Sequence, residues 1–313
     1  MLSRLRSLLI TALVAWHTGV VHAQSPCPPA ATPLTAEELH GATRDRGFLW
    51  RVTRDGRSSY LYGTLHVAKR AWAAPGPQVR QALQASDVVA LELDMLDPDI
   101  RRRIGERLTV THGAALAPAL IARLNALADA NCVSAAALGA LRPEVQVVTL
   151  TALAGRRDGI DPAYGIDLML AGIGRGAGKP VFSLETPESQ AAMLMTDDAT
   201  QMGRIVERAL RDLESGKARS LVLRLADVWA ESRLDELYHY ARWCQCLDTQ
   251  EARAFHARLL DRRNPELAER LETLHASGHR VFGAVGALHM VGDTALTQLL
   301  ARRGFRIERI VPP

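Results

Sequence analysis

The chain has 313 residues, is 48% hydrophobic and 23% charged, and carries a formal net charge of +4. That is enough apolar sequence for a sizeable core. The charge is too evenly mixed for a nucleic-acid surface, because the arginines alternate with Asp and Glu along the chain and do not gather in one stripe.

Arg4 and Arg6, the apolar run Leu8 to Ala15 and the small-x-small exit Val21-His22-Ala23 read as a signal peptide over residues 1–23. The run is too short to span a bilayer as a folded helix. Nothing resembling a lipobox precedes Cys27, so no membrane anchor is expected after cleavage, and the location follows as periplasmic or secreted. Loss of Arg4 and Arg6 leaves a near-neutral mature chain. Four cysteines in an exported chain predict two disulfides. Cys244 and Cys246 are one residue apart and look poorly placed to bond each other, so each is expected to pair with Cys27 or Cys132. A metal site built on these cysteines is the weaker alternative.

Residues 24–46 read as an extended leader, and 47–313 as a single domain. Phe48 to Thr53 and Ser59 to His66 form a hairpin around Arg54-Asp55-Gly56-Arg57. A helix follows from Pro75 to Ala85. Val88 to Leu93 is a nearly continuous apolar run, as in a strand buried on both faces. From about 98 to 276 the pattern is mostly helical, interrupted by a short strand at Val181 to Glu185. Asn264-Pro265 marks a helix start, with Asn as a possible cap and Pro at the first position. Arg280 to Gly286 and Arg306 to Val311 are the last strands, flanking a helix at Asp293 to Arg302. The fold class is α/β: a central mixed sheet built from the N- and C-terminal halves, covered by helices, with a large helical middle region.

Gly63-Thr64-Leu65-His66 and Gly286-Ala287-Leu288-His289 repeat one pattern, a glycine three residues before a histidine at a strand exit. α/β proteins place their sites at such exits, and glycine there admits a close approach. Taken singly, each histidine is more often structural; as a pair they point to one shared site. Glu92 is the only charge in its apolar run, and a buried carboxylate needs a salt bridge, hydrogen bonds or a metal. Two imidazoles and a carboxylate form a known open metal site. Glu185 repeats the logic of Glu92, and Asp167 opens a helix where it favours the dipole. There is no GxSxG, HExxH or Walker loop, which leaves serine-hydrolase, thermolysin-type and nucleotide-binding readings unsupported.

The ordered set Tyr62-Gly63-Thr64-Leu65-His66, Leu91-Glu92-Leu93, Tyr164-Gly165-Ile166-Asp167, Lys179-Pro180 through Leu184-Glu185-Thr186, Arg263-Asn264 and Val285-Gly286-Ala287-Leu288-His289 resembles the TraB/PrgY/GumN family, from about Phe48 to Val311. The related animal Tiki proteins are regarded as metal-dependent proteases, within a superfamily that includes erythromycin esterases and ChaN proteins. The resemblance implies a divalent metal (zinc, manganese, cobalt or iron) on His66, Glu92 and His289. Glu185 or Asp167 would then act as general base or orient a histidine, and Arg263 would hold a substrate carboxylate or an oxyanion. The expected activity is a peptidase-type hydrolase acting on a peptide or small-molecule substrate. The alternatives are a non-catalytic binder that sequesters a peptide, a metal or haem, and an interaction domain with structural histidines.

Overall fold

The structure, a computed structural model, describes residues 27–41, 43–110 and 116–312. The segment 1–23, expected to be a signal peptide, lies outside the described residues. Six strands form one sheet: β1 (Phe48–Arg54), β2 (Arg57–Thr64), β3 (Val88–Leu91), β4 (Val181–Ser183), β5 (Val281–Gly286) and β6 (Arg306–Ile310). Their order across the sheet is β4-β3-β5-β2-β1-β6. The strands β4, β3, β5 and β2 run parallel, while β1 lies antiparallel between β2 and β6. The sheet is therefore mixed and draws on both halves of the sequence, as expected.

The β1–β2 hairpin turns at Asp55 and Gly56, both left-handed with φ of 52° and 70°. A tight turn of that hand matches the twist of the flanking strands. All four residues of β3 are buried, which explains its unbroken apolar sequence. The strand stops at Leu91, and Glu92 follows its last residue.

The middle of the chain is helical, and proline occupies the first turn of the helices Pro98–Leu108, Pro118–Ala130, Pro143–Leu153 and Pro187–Leu194. Leu124, Leu150, Val206 and Leu210 centre a second core in this region, separate from the one around the sheet.

Two local expectations need correction. The leader is not extended throughout, because Thr35 and Glu38 form a capping box that starts a short helix, Ala36–His40. Glu38 pairs with Arg70 at 2.6 Å, which ties this segment to the domain. The disulfides are Cys27–Cys132 and Cys244–Cys246, so the two neighbouring cysteines do bond each other. The residue between them supplies the reason. Gln245 takes a left-handed φ of 50°, which folds the chain back and brings the two Cα atoms to 5.1 Å.

Candidate functional site

The parallel strands β2, β5, β3 and β4 all end at the same edge of the sheet, and each exit carries a chemically active residue. His66 follows β2, His289 follows β5, Glu92 follows β3 and Glu185 follows β4. The carboxyl ends of parallel strands are where helix dipoles and loops leave room for a site. Register brings the exits level, with Thr64 opposite Gly286 and Leu91 opposite both Ala284 and Ser183. Hydrogen bonds continue past β3 and β4, from Glu185 N–H to Glu92 O at 3.0 Å.

Glu92 is the centre of the group. Its Oε1 accepts from the Gly286 N–H at 2.7 Å and lies 3.9 Å from Nε2 of both His66 and His289. Its Oε2 faces the Arg263 guanidinium. Burial works against the carboxylate charge, but His289, His66, Arg263 and the Gly286 N–H outweigh it and hold Glu92 well below the usual carboxylate range.

Each histidine is oriented through Nδ1. His289 is 2% exposed, and its Nδ1 meets the Asn264 side-chain oxygen. The Asn264 amide cannot be turned round, because its nitrogen donates to Thr294 O at 2.8 Å. His289 therefore carries its proton on Nδ1, which leaves Nε2 an acceptor facing the Arg263 guanidinium at 3.2 Å. Burial lowers its pKa to about 4, so it is neutral at pH 7. His66 has Nδ1 at 3.2 Å from Asp167 Oδ1, and its side chain is 62% exposed. The Asp167 carboxylate, aided by Glu92, raises His66 to about 9.

Arg263, the residue just before the helix Asn264–Ala276, is 12% exposed and lies between the two glutamates. Its Nε donates to Glu185 at 2.8 Å, and one terminal nitrogen bridges Glu185 and Glu92. The other donates to Leu259 O at 2.8 Å and faces His289 Nε2 at 3.2 Å. A guanidinium has five N–H groups, and these contacts engage all of them. In this geometry Arg263 clamps Glu92 and Glu185 inside the protein, and its remaining N–H groups face Leu259 O and His289 Nε2. Glu185 is bound in turn by Arg263 and by Gln190 Nε2 at 2.9 Å, an arrangement that suits orientation better than proton abstraction.

Residues 48–309, which include every group above, match the TraB/PrgY/gumN family. The chain belongs to that family. It is also 48% identical over 52 residues to Metalloprotease TIKI1 of Danio rerio, a stretch covering 16% of this chain and 10% of that protein. The chain thus matches about a tenth of the length of this curated relative. No solved structure matches.

Asn264 and Gln190 were not among the family residues expected to act. The signal for Asn264 was its place beside Arg263, where its helix-start character concealed the contact with His289. Gln190 carried none, since it reaches Glu185 from one turn inside the helix Pro187–Leu194.

The donors suit a divalent ion by type, two imidazole Nε2 atoms and one carboxylate oxygen, with His66 giving up the proton that Asp167 favours. A Cβ built on Gly286 would lie 3.3 Å from Glu92 Oε1, 3.6 Å from His289 Cδ2 and 3.8 Å from His66 Nε2, so this glycine keeps a small space among all three. The spacing is open, however. Tetrahedral ligands at ordinary bond lengths sit about 3.4 Å apart, against 3.9 Å here. Among the described residues no group of three or more His, Cys, Asp or Glu has metal-holding spacing. Binding an ion would draw the exposed His66 inward.

Proposed function

We propose that the protein is an exported metal-dependent hydrolase that cleaves peptide or protein amide bonds, with ester bonds as a second class. His66, Glu92 and His289 are its metal ligands. The observation that carries the reading is the convergence of two Nε2 atoms on one Glu92 oxygen around Gly286. The likeness to a protein named a metalloprotease supports the choice of reaction. The two disulfides agree with an oxidising compartment, and no described helix is long and apolar enough to cross a membrane.

A divalent ion supplies Lewis acidity, which activates water and polarises a substrate carbonyl. The chain's own residues prepare the ground. Asn264 and Asp167 fix the imidazoles so that both Nε2 atoms face the same space. Arg263 helps keep Glu92 ionised and holds Glu185 in place, and Gln190 steadies Glu185. His66 is the ligand open to solvent and marks the side from which a peptide or small-molecule substrate enters.

The test is to load purified protein with zinc, manganese, cobalt or iron, measure bound metal, and incubate it with a peptide library. The expected result is about one equivalent of metal, new peptide termini that disappear with chelator, and loss of both in a His66→Ala, His289→Ala double variant. Failure to retain any metal would overturn the reading. Metal retention without cleavage would transfer the site to the alternative, a binder that sequesters a peptide, a metal or haem.

A further inference from the structure

The Cys244–Cys246 bond is a poor structural staple. A disulfide stabilises a fold chiefly by limiting the unfolded chain, and the effect grows with the length of loop it closes. Cys27–Cys132 spans 105 positions, whereas Cys244–Cys246 spans two. The short bridge also holds Gln245, a non-glycine residue, in the left-handed region at φ 50°, a conformation with an energetic cost.

Its surroundings treat the two sulfurs differently. Cys244 is 4% exposed, and its Sγ accepts the Cys246 backbone N–H at 3.1 Å. Cys246 is only half-buried, and the Tyr240 hydroxyl lies 3.5 Å from its sulfur. Burial raises Tyr240 to about 12, which keeps that hydroxyl protonated. Cations line the loop: Lys217 Nζ donates to Gln245 O at 2.6 Å, Arg253 donates to Leu247 O at 2.9 Å, and Arg208 pairs with Asp248. A directed N–H stabilises a thiolate on Cys244.

We propose that Cys244–Cys246 is a thiol–disulfide exchange site, with Cys246 as the attacked sulfur and Cys244 as the leaving one. A thiolate of an external dithiol attacks Cys246 Sγ. The Cys244–Cys246 bond breaks, a mixed disulfide forms on Cys246, and the electron pair leaves on Cys244 Sγ under the Cys246 N–H. The second thiolate of the dithiol then attacks its own sulfur in the mixed disulfide and releases Cys246. Two electrons and two protons pass to the cysteine pair, and the dithiol becomes a disulfide. The reverse sequence reduces an external disulfide.

The test uses the full mature chain. It is equilibrated with graded dithiothreitol, quenched by alkylation, and mapped by peptide mass spectrometry. Cys244 and Cys246 are expected to open at about a tenfold lower dithiothreitol concentration than Cys27 and Cys132. Opening of both bridges together, or of Cys27–Cys132 first, would overturn the proposal. Single variants test the order of attack. With glutathione disulfide, Cys244→Ser leaves Cys246 to form the mixed disulfide rapidly, while Cys246→Ser leaves Cys244 reacting at least about tenfold more slowly. Equal rates would remove the assigned roles and the exchange site with them.

Discussion

Gly286, the last residue of β5, and Glu92, the residue just after the neighbouring parallel strand β3, lie 194 positions apart in sequence and are joined by one hydrogen bond of 2.7 Å from the glycine N–H to the carboxylate. A Cβ at Gly286 would lie 3.3 Å from the accepting oxygen, so the missing side chain leaves that oxygen uncrowded. The first histidine motif uses its glycine for a related purpose. A Cβ on Gly63 would lie 3.2 Å from Ala287 Cα, so Gly63 lets the chain leading to His289 pack closely over β2. Each motif's glycine thus serves the assembly of the same site.

Gly286→Ala is therefore a clean probe of the central space. The backbone at 286 has φ −51° and ψ 138°, which any L-residue adopts. The added methyl meets Glu92 Oε1 at 3.3 Å and the two imidazoles at ordinary contact distances. The cost in stability should not exceed about 1–3 kcal/mol, read by urea unfolding. Metal retention and peptide cleavage should both be lost from the folded variant. A Gly286→Ala protein that still holds stoichiometric metal would show that the ion sits elsewhere.

Asn264 predicts a different pattern. Asn264→Ala removes the partner that keeps the His289 proton on Nδ1, and should cost about 1–3 kcal/mol for the buried donor left behind. Metal affinity should fall about 10–100-fold. Asn264→Asp retains an acceptor at that point and should keep more of the affinity than Ala does, as measured by competition with a fluorescent chelator. Equal affinities in Ala and Asp variants would mean that the tautomer lock plays no part.

Much of this site was legible beforehand because its signals are local. A glycine–histidine spacing, and a single acid in an apolar run, can be read without knowing the fold. The parallel order of β2, β5, β3 and β4 is what brings those signals to one edge, and it depends on contacts between distant parts of the chain. Arg263 shows the limit most plainly. Its presence is expected, but its role turns on where each N–H points, and that is set by Glu185 and His289 arriving from other segments and by Leu259 four residues before it. The Cys244–Cys246 bridge escapes a reading of the sequence for a smaller reason, the backbone hand of the one residue between them.

Arg263→Gln should be among the most destabilising single changes in the protein. It leaves Glu92 and Glu185, 6% and 9% exposed, without their shared cation. Breaking a buried ion pair from one side costs roughly 3–5 kcal/mol. Arg263→Lys keeps the charge but cannot reproduce the fork that reaches both carboxylates, and should fall between Gln and the parent. Urea midpoints at neutral pH test the ranking. A loss below about 1 kcal/mol for Arg263→Gln would show that the two glutamates find another partner.

His275, remote from this site, sets a pH dependence of stability. It is 1% exposed and packs edge-on to Phe305. Val281 N–H donates to Ser59 Oγ, so the serine proton points to His275 Nδ1 at 2.9 Å, and the ring donates from Nε2 to Arg54 O at 3.1 Å. The neutral ring is thus fully satisfied. Burial, together with the nearby Arg57 and Arg54 charges, lowers its pKa, against a smaller opposing effect of the Arg54 carbonyl and Asp55. The unfolded histidine takes a proton near pH 6.5 while the folded one resists. Its contribution is therefore complete above about pH 6.5 and declines as the pH falls towards the depressed folded value. His275→Gln should be less stable than the parent at pH 8, and the gap should narrow by pH 5. Urea unfolding of both proteins across that range measures it, and a gap that stays constant or widens on acidification would mean that the folded protein accepts the proton on His275.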